Sequence, residues 1–414
     1  MALLVTGYPI RRNTLLLAAG LTSLSGMTQL AVAVGTTTLV LITGVESIVG
    51  LGPAIFLTTG ALAAFPAGRA MDRYGRMPVI RGGFATGIVA SLVLALACAW
   101  VSTPLVVIGL ALIGCSMGTV ILSRAAAADM YPPERRGRSI SLVLFGAVFG
   151  AALGPLVFRP LFVNKHHVDA GTLVLPWLVA AAIMTVGLVI ALSVRPDPKK
   201  IGEALGYDLH PDQSGEAAPL AVILRRPGVL TAMLAAVASF GVMVAVMNLA
   251  GYIVVGHGHS QASTFWVISA HIVGMYGLVL FVGDLIDRMG RRRALVGGLV
   301  TMGVSTITLA WVTSVGGMSL SLFGLGLGWV FAYVGATSEL VDRAALSERG
   351  RLVGFSDLAS GLTGAVLALV CGAVYTKLGV GAAAVLATAA VAIPALAIAL
   401  TSRRPASEVL EPVG

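Results

Sequence analysis

The chain has 414 residues, of which 57% are hydrophobic and 11% are charged, and its mean hydropathy is +0.95. Soluble globular domains carry about 25% charged residues, so this composition excludes an ordinary soluble protein. The apolar runs repeatedly reach about 20 residues, the length of a helix that spans a bilayer. The net charge of +9 raises nucleic-acid binding as an alternative. The distribution of the basic residues along the chain distinguishes this alternative from a membrane topology signal.

Twelve apolar stretches are long enough to cross a membrane as helices. Their approximate limits are 13–40, 48–68, 78–100, 104–128, 139–162, 171–194, 229–255, 262–283, 293–313, 317–341, 352–376 and 380–401. The series is interrupted once, after the sixth span, by the polar stretch 195–228. We therefore predict an all-α integral membrane protein with two six-helix halves, residues 1–194 and 229–414, joined by a central linker.

The basic residues fall on one side of these spans. Of the 27 Lys and Arg residues, 24 lie in the termini, the linker or the alternate loops on that side, and the exceptions are Arg159, Lys165 and Lys377. Lys and Arg accumulate in cytoplasmic loops, so we predict a multi-pass protein of the cell membrane with both termini in the cytoplasm. The positive charge is a topology signal, and no nucleic-acid partner is predicted.

Two charged turns of the first half recur in the second half. Gly68, Asp72, Gly75 and Arg76 match Gly283, Asp287, Gly290 and Arg291, each pair separated by the same distance along the chain. In the other turn, Asp129, Gly137 and Arg138 match Asp342, Gly350 and Arg351, again with one constant separation. Two turns repeated at nearly the same distance indicate that the halves are homologous.

Over essentially its whole length, the sequence resembles the major facilitator superfamily. The stretch from Gly68 to Arg76 is similar to the family's signature loop between helices 2 and 3, G-x-x-x-D-R-x-G-R, and the Asp287 turn is similar to its degenerate copy between helices 8 and 9. The resemblance implies a monomeric transporter whose two helical bundles are related by a pseudo-two-fold axis. It also implies a substrate path between the bundles near the middle of the bilayer.

The resemblance places Asp72 beside the start of helix 11, which begins here between Arg351 and Asp357. Negative charge is stabilised at a helix N-terminus, so we expect these contacts to hold the cytoplasmic side closed, with Arg73 and Arg76 available to Asp129. A weaker counterpart is expected in the second half, and solvated loop charges are the alternative interpretation. The predicted gate residues are Gly68, Asp72, Arg73, Gly75, Arg76, Asp129, Asp287, Arg288, Gly290, Arg291, Asp342 and Asp357.

Helix 5 carries glycines at every fourth residue, Gly146, Gly150 and Gly154, followed by Pro155. This spacing lets backbones approach closely, and the proline bends the helix. The pattern resembles the G-x-x-x-G-P motif of drug:proton antiporter-type efflux members, in which the bent helix lies between the halves. Ordinary packing of small residues is the alternative.

Few titratable groups lie inside the predicted spans, and helix 1 has no acidic residue. Ionisable groups in a membrane are functional candidates, so His271, Glu339 and Arg124 are the proton-coupling candidates. Arg124 lies closer to the cytoplasm than the helix 4 arginine of such antiporters. The predicted substrate cavity is mostly apolar, and its polar and aromatic lining candidates are Gln29, Asn248, Trp266, Tyr276, Trp329 and Tyr333.

The sequence contains no H-E-x-x-H metal motif, no phosphate-binding loop and no nucleophile triad. We therefore predict no enzyme activity, no cofactor and no metal site. The predicted function is secondary active transport, namely proton-coupled export of hydrophobic or amphiphilic small molecules. A metabolite or lipid-precursor carrier and a non-transporting membrane receptor are the alternatives.

Overall fold

The computed structural model describes residues 7–44, 51–153, 157, 169–207, 218–259 and 261–400, and this part of the chain is helical without strands. A backbone in lipid must satisfy its own hydrogen bonds, which a helix does within one segment. The helices are α1 Ile10–Thr43, α2 Leu51–Tyr74, α3 Arg76–Trp100, α4 Thr103–Val120, α5 Ser123–Asp129, α6 Arg136–Leu153, α7 Val174–Leu192, α8 Pro198–Ala204, α9 Leu220–Leu224, α10 Val229–Gly256, α11 Gln261–Ile272, α12 Val279–Met289, α13 Arg291–Thr308, α14 Val315–Asp342 and α15 Arg349–Leu400.

Four of the predicted spans depart from a simple helix. The fourth is broken into α4 and α5, and the eighth consists of α11 and α12, joined by a π-helix over Val273–Gly277 and bent by 49°. The eleventh and twelfth spans run together as α15, whose 52 residues are divided at Gly379 with φ 81° and ψ −178°, a conformation open to glycine. Eight helices of the described ranges are long and apolar enough to cross a membrane, or nine if the bent pair counts as one span.

Helices α1–α7 pack mainly against one another, and so do α10–α15. The two halves meet along two further pairs, α2 with α15 and α6 with α12. Those two pairs are equivalent under the internal repeat, because α2 corresponds to α12 (Asp72 with Asp287) and α6 corresponds to the start of α15 (Arg138 with Arg351). The interface is therefore two-fold symmetric in its main contacts.

The first part of the linker contacts both halves. Asp197 caps α8 through the Lys199 N–H (2.9 Å), and its other oxygen accepts from the Met77 N–H at the start of α3 (2.8 Å). The Lys199 ammonium donates to the Asp72 carbonyl (2.8 Å). The Tyr207 carbonyl accepts from Arg136 of the first half (3.0 Å) and Arg349 of the second half (3.2 Å).

The last part of the linker is bound to the second half by Glu348. Its carboxylate accepts from Arg226 at 2.5 and 3.0 Å and from the N–H groups of Ala218 and Ala345 at 3.1 Å. Burial alone would raise the pKa of Glu348, but the hydrogen bonds from Arg226 and from the backbone outweigh it and lower the pKa. Glu348 is therefore ionised at neutral pH and holds the end of the linker against α15.

We predict that Glu348→Gln lowers the melting temperature of the purified protein at pH 7 by about 2–4 °C, the shift for a loss of roughly 1 kcal/mol. A carboxyl group with a lowered folded-state pKa stabilises above its unfolded-state pKa, about 4.3, and this contribution is lost as the pH falls through the folded-state value. The difference between wild type and variant should therefore shrink below about pH 4. Glu203→Gln, at an exposed position 4.0 Å from Lys199, is the control. A pH-independent difference would contradict the assignment.

Candidate functional site

Asp72, at the end of α2, binds the start of α15 in the other half. Its two carboxylate oxygens accept from the backbone N–H groups of Gly350 (2.9 Å) and Arg351 (2.7 Å). The first N–H groups of a helix have no partner within it, so a carboxylate both satisfies them and complements the helix dipole. Gly68 makes this approach possible, because a Cβ there would overlap the Gly350 carbonyl.

Arg76 joins this carboxylate to the end of α5. Its guanidinium donates to Asp72 (2.6 Å), to Asp129 (2.7 Å) and to the carbonyl of Leu346 in the second half (2.7 Å), and its side chain is 2% exposed. Asp129 is fully buried. A buried charge is tolerated where charged partners and hydrogen bonds surround it. Arg76 has two carboxylates and one carbonyl as partners.

The second half repeats this arrangement with the roles of the halves exchanged, so that a carboxylate of the second half binds the start of a helix in the first half. Asp287 accepts from the N–H groups of Gly137 (3.1 Å) and Arg138 (2.9 Å) at the start of α6. Arg291 donates to Asp287, to the Pro133 carbonyl and to Asp342 (3.3 Å). Asp342 is 16% exposed, whereas its equivalent Asp129 is fully buried, so the second copy is the more open one.

Two further arginines, which we did not predict as gate residues, link the copies. Arg349 of α15 donates to Asp129 (2.9 Å), and Arg136 of α6 donates to Asp342 (2.5 Å). Both are fully buried, and both ion pairs join the two halves. Arg136 and Arg349 are as far apart in the chain as Asp129 and Asp342, so the internal repeat could have identified both arginines from the sequence. We call these contacts, with those of Asp72 and Asp287, the charged gate.

Some predicted gate residues lie elsewhere. Arg73 and Arg288 are exposed, and Arg73 lies over the ring of Tyr74 (5.2 Å) rather than reaching Asp129. Asp357 does not join the Asp72 turn, because its carboxylate lies in the wall of a central cavity. Gly75 and Gly290 have φ of 95° and 88°, the left-handed region that glycine occupies without strain, and each allows the sharp turn between two helices.

Helix 5, which is α6, lies between the halves as expected, because it packs against α12. Its described glycines face α1 of the first half instead of the second half. A Cβ on Gly146 would overlap the Ala18 carbonyl of α1, and Gly150 lies against Thr22 and Ser25 of the same helix. The α6 face that meets the second half carries Gly137 and other residues. Gly154 and Pro155 lie outside the described residues.

A cavity of about 280 Å³ lies between the halves. Of the predicted lining residues, Gln29, Tyr276, Trp329 and Tyr333 line it. The prediction is wrong for Trp266, whose side chain is 74% exposed, and for Asn248, which is exposed and donates to the Val244 carbonyl (2.9 Å). Both side chains point away from the centre. The prediction failed for them because the sequence of an apolar span gives little indication of which face of the helix looks inward.

Aromatic rings form one wall of the cavity. Trp329 and Tyr333 of α14 are stacked with centroids 4.7 Å apart, and Tyr276 meets Trp329 edge-on at 6.4 Å. The Arg124 guanidinium lies 4.7 Å from the centre of the Tyr333 ring. The opposite wall is aliphatic, with Leu21, Leu24, Leu57 and Leu144 from the first half.

An ion pair between the halves borders this cavity. Arg124 of α5 donates to Asp357 of α15 at 2.6 Å, with side chains 1% and 13% exposed, and also to the Ile121 carbonyl (3.0 Å). Asp357 is a charged residue of the cavity lining, and its second oxygen has no hydrogen-bond partner among the described residues. We predicted a proton-coupling role for Arg124 but did not pair it with Asp357.

The other two proton-coupling candidates do not line the cavity. His271 is buried against α14, where one ring nitrogen contacts the Leu322 carbonyl (3.0 Å). Glu339 pairs with Arg343 one turn later (2.9 Å). Neither side chain is placed to contact a molecule in the central cavity.

Comparison with known proteins identifies the family. The family model of the Major Facilitator Superfamily matches residues 15–366 and 231–413. The chain belongs to this superfamily. Its members are transporters, so the chain is a secondary transporter of small molecules.

Individual relatives and solved structures agree with this assignment. The chain is 28% identical over 326 residues to the uncharacterized MFS-type transporter YdeG of Bacillus subtilis, covering 78% of this chain and 76% of the relative. It is 29% identical over 313 residues to the riboflavin transporter RfnT of Brucella anthropi, covering 75% and 76%. The fold is similar to that of the E. coli fucose:proton symporter FucP, with a TM-score of 0.72 at 17% identity over 93% of this chain and 98% of that one.

We predict that Asp72→Asn opens the charged gate. The variant loses charge-assisted hydrogen bonds to Gly350 and Arg351 and an ion pair with Arg76, each worth about 1.5–3 kcal/mol. In a Thr28→Cys background, the cysteine lies in the cavity lining. It should then react at least tenfold faster, the factor for a loss of about 1.4 kcal/mol, with a membrane-impermeant maleimide applied on the side of the charged turns. The background lacks Cys98, Cys115 and Cys371.

Arg73→Ala is the matched control, because Arg73 lies in the same turn but is exposed. Its labelling rate should equal that of the parent. Equal rates for the parent and Asp72→Asn would show that these contacts do not hold the gate closed.

Proposed function

We propose that this transporter exports hydrophobic or amphiphilic small molecules in exchange for protons, by alternating access of the central cavity to the two sides of the membrane. The charged turns lie on the cytoplasmic side in this proposal, as their Lys and Arg content favours. With the charged gate formed, the cavity is closed to the cytoplasm.

The observation that carries the proposal is the Arg124–Asp357 ion pair. Both residues lie inside predicted membrane spans, where charged side chains are costly and mark ion or proton pathways. The pair joins the two halves at 2.6 Å and borders the cavity. Protonation of Asp357 removes its negative charge, weakens the pair and loosens the two halves at the level where substrate binds.

The internal repeat sets this pair apart from the gate. Every ion pair of the charged gate has an equivalent in the other half. When the separation of Asp129 and Asp342 is applied to Arg124 and Asp357, by contrast, the equivalent positions are Thr337 and Leu144, which are uncharged. A contact that serves only closure can be used twice, whereas a coupling site for one substrate cavity is needed once. The lack of a symmetric copy thus favours a coupling role.

The cavity lining favours apolar cargo. Its walls are Leu, Ala, Gly, Met and aromatic side chains, and apart from the Arg124–Asp357 pair its polar members are uncharged among the described residues. A sugar or a dicarboxylate needs many hydrogen bonds or basic side chains, and burying such groups unpaired costs several kcal/mol. A molecule that is itself mostly apolar avoids this cost.

We predict that Asp357→Asn abolishes proton movement driven by substrate in proteoliposomes containing a pH-sensitive dye. Removing one partner of a buried pair costs about 3–5 kcal/mol, so the double variant Asp357→Asn/Arg124→Gln, which leaves no unpaired charge, tests whether loss of coupling is separate from loss of folding. Asp284→Asn is the control, because Asp284 is partly exposed and 3.4 Å from Arg138. Proton movement at the wild-type rate in folded Asp357→Asn protein would refute the coupling role.

A carrier of metabolites is the second candidate, and the similarity to a riboflavin transporter favours it. The direction of transport separates the two. Expression in a host without its own efflux pumps should raise resistance to a panel of apolar toxic compounds if the chain exports. Faster uptake of labelled riboflavin, with no gain in resistance, would favour the metabolite carrier instead.

A further inference from the structure

We infer that the cavity binds a neutral, planar heteroaromatic molecule that carries both an N–H donor and a carbonyl acceptor. The inference rests on the proposed transport function and names the chemical class of its substrate.

The aromatic wall favours a flat ligand. Trp329 and Tyr333 are stacked at an interplanar angle of 18°, and Tyr276 stands at 76° to the indole. Aromatic groups gain energy beyond area burial from offset stacking and edge contacts. The facing wall is aliphatic, so a flat ring system can lie between the two walls with apolar contact on both faces. The volume of about 280 Å³ lies just below the range of about 300–1,000 Å³ usual for ligand sites, which favours a compact molecule.

The balance of charge favours a neutral ligand. Asp357 is compensated by Arg124 at 2.6 Å. The other residues of the cavity lining in the described part of the chain are uncharged. A ligand with a net charge would leave either itself or one member of the pair unpaired in an apolar environment, which is strongly unfavourable. A neutral molecule leaves the pair intact.

Unpartnered polar atoms define the hydrogen bonds that the ligand supplies. The Trp329 indole nitrogen, the second oxygen of Asp357 and the Ser360 hydroxyl are buried without a hydrogen-bond partner among the described residues, and all three side chains line the cavity. An indole N–H is only a donor and an ionised carboxylate is only an acceptor. A ligand that presents a carbonyl to Trp329 and an N–H to Asp357 satisfies both.

These three residues belong to α14 and α15 of the second half, whereas the wall from the first half is largely aliphatic. The hydrogen bonds to the ligand therefore come from α14 and α15, and its contacts with the first half are mainly apolar. Acridone carries both groups, because it is a neutral, planar, fused-ring molecule with an N–H and a carbonyl on opposite sides of its central ring. It also fluoresces, so its binding to the purified full-length protein can be followed by fluorescence anisotropy.

We expect acridone to bind and N-methylacridone, which lacks the N–H, to bind about tenfold more weakly, since a hydrogen bond to a charged acceptor is lost. Trp329→Phe keeps an aromatic ring but removes the indole donor, and should weaken acridone binding about fivefold. Trp329→Leu should weaken it further. Trp266→Leu is the matched control, because that indole is 74% exposed and lies outside the cavity, and it should leave binding unchanged.

Three results would overturn the inference: no acridone binding, equal binding of acridone and N-methylacridone, or tighter binding of the anion anthracene-9-carboxylate. The ligand series on wild-type protein tests the inference even where a variant fails to fold. If acridone does not bind while a compound from the resistance panel drives proton movement, the inferred substrate class is refuted and the proposed transport function is retained. If acridone binds as described but no compound drives proton movement, the inferred binding site is retained and the proposed transport function is refuted.

Discussion

The structure depends on carboxylates that bind the start of a helix in the opposite half. Asp72 holds the first N–H groups of α15, and Asp287 holds those of α6. These contacts are charge-assisted and directional, yet they involve few atoms and no interlocked side chains. They can therefore be strong when formed and still be broken and remade, which the apolar packing inside each half cannot. This difference lets two rigid halves share one separable interface.

The arginines around these carboxylates convert two local contacts into a network. Arg76 and Arg291 each join two carboxylates of their own half, whereas Arg349 and Arg136 each cross to the other half. The Tyr207 carbonyl in the linker contacts both crossing arginines. Because each buried charge relies on several partners, the loss of any one leaves others unpaired, and the network is expected to open as a unit.

The pair Arg124–Asp357 differs from that network in symmetry, position and surroundings. It lies beside the cavity and the stacked rings of Trp329 and Tyr333. The contacts of the charged gate follow the internal repeat, whereas the Arg124–Asp357 pair has no repeated equivalent. In the proposed mechanism, the repeated contacts serve the conformational change and the unrepeated pair serves proton coupling.

The sequence by itself determined the membrane class, the apolar spans and the repeat, because composition, run length and repeated turns are local or periodic signals. The contact of Asp72 with helix 11 was predicted from the resemblance to the family and not from these patterns. The repeat of the Asp129 turn could also have identified Arg136 and Arg349. Only the tertiary structure decided that Arg124 meets Asp357, far along the chain in the other half, that Trp329 lines the cavity while Trp266 faces outward, and that His271 packs against α14. The physical reason is that a helix in lipid is apolar on all sides, so its hydrophobic pattern does not encode its rotation, and which side chains face the centre is set by the packing of the helices against one another.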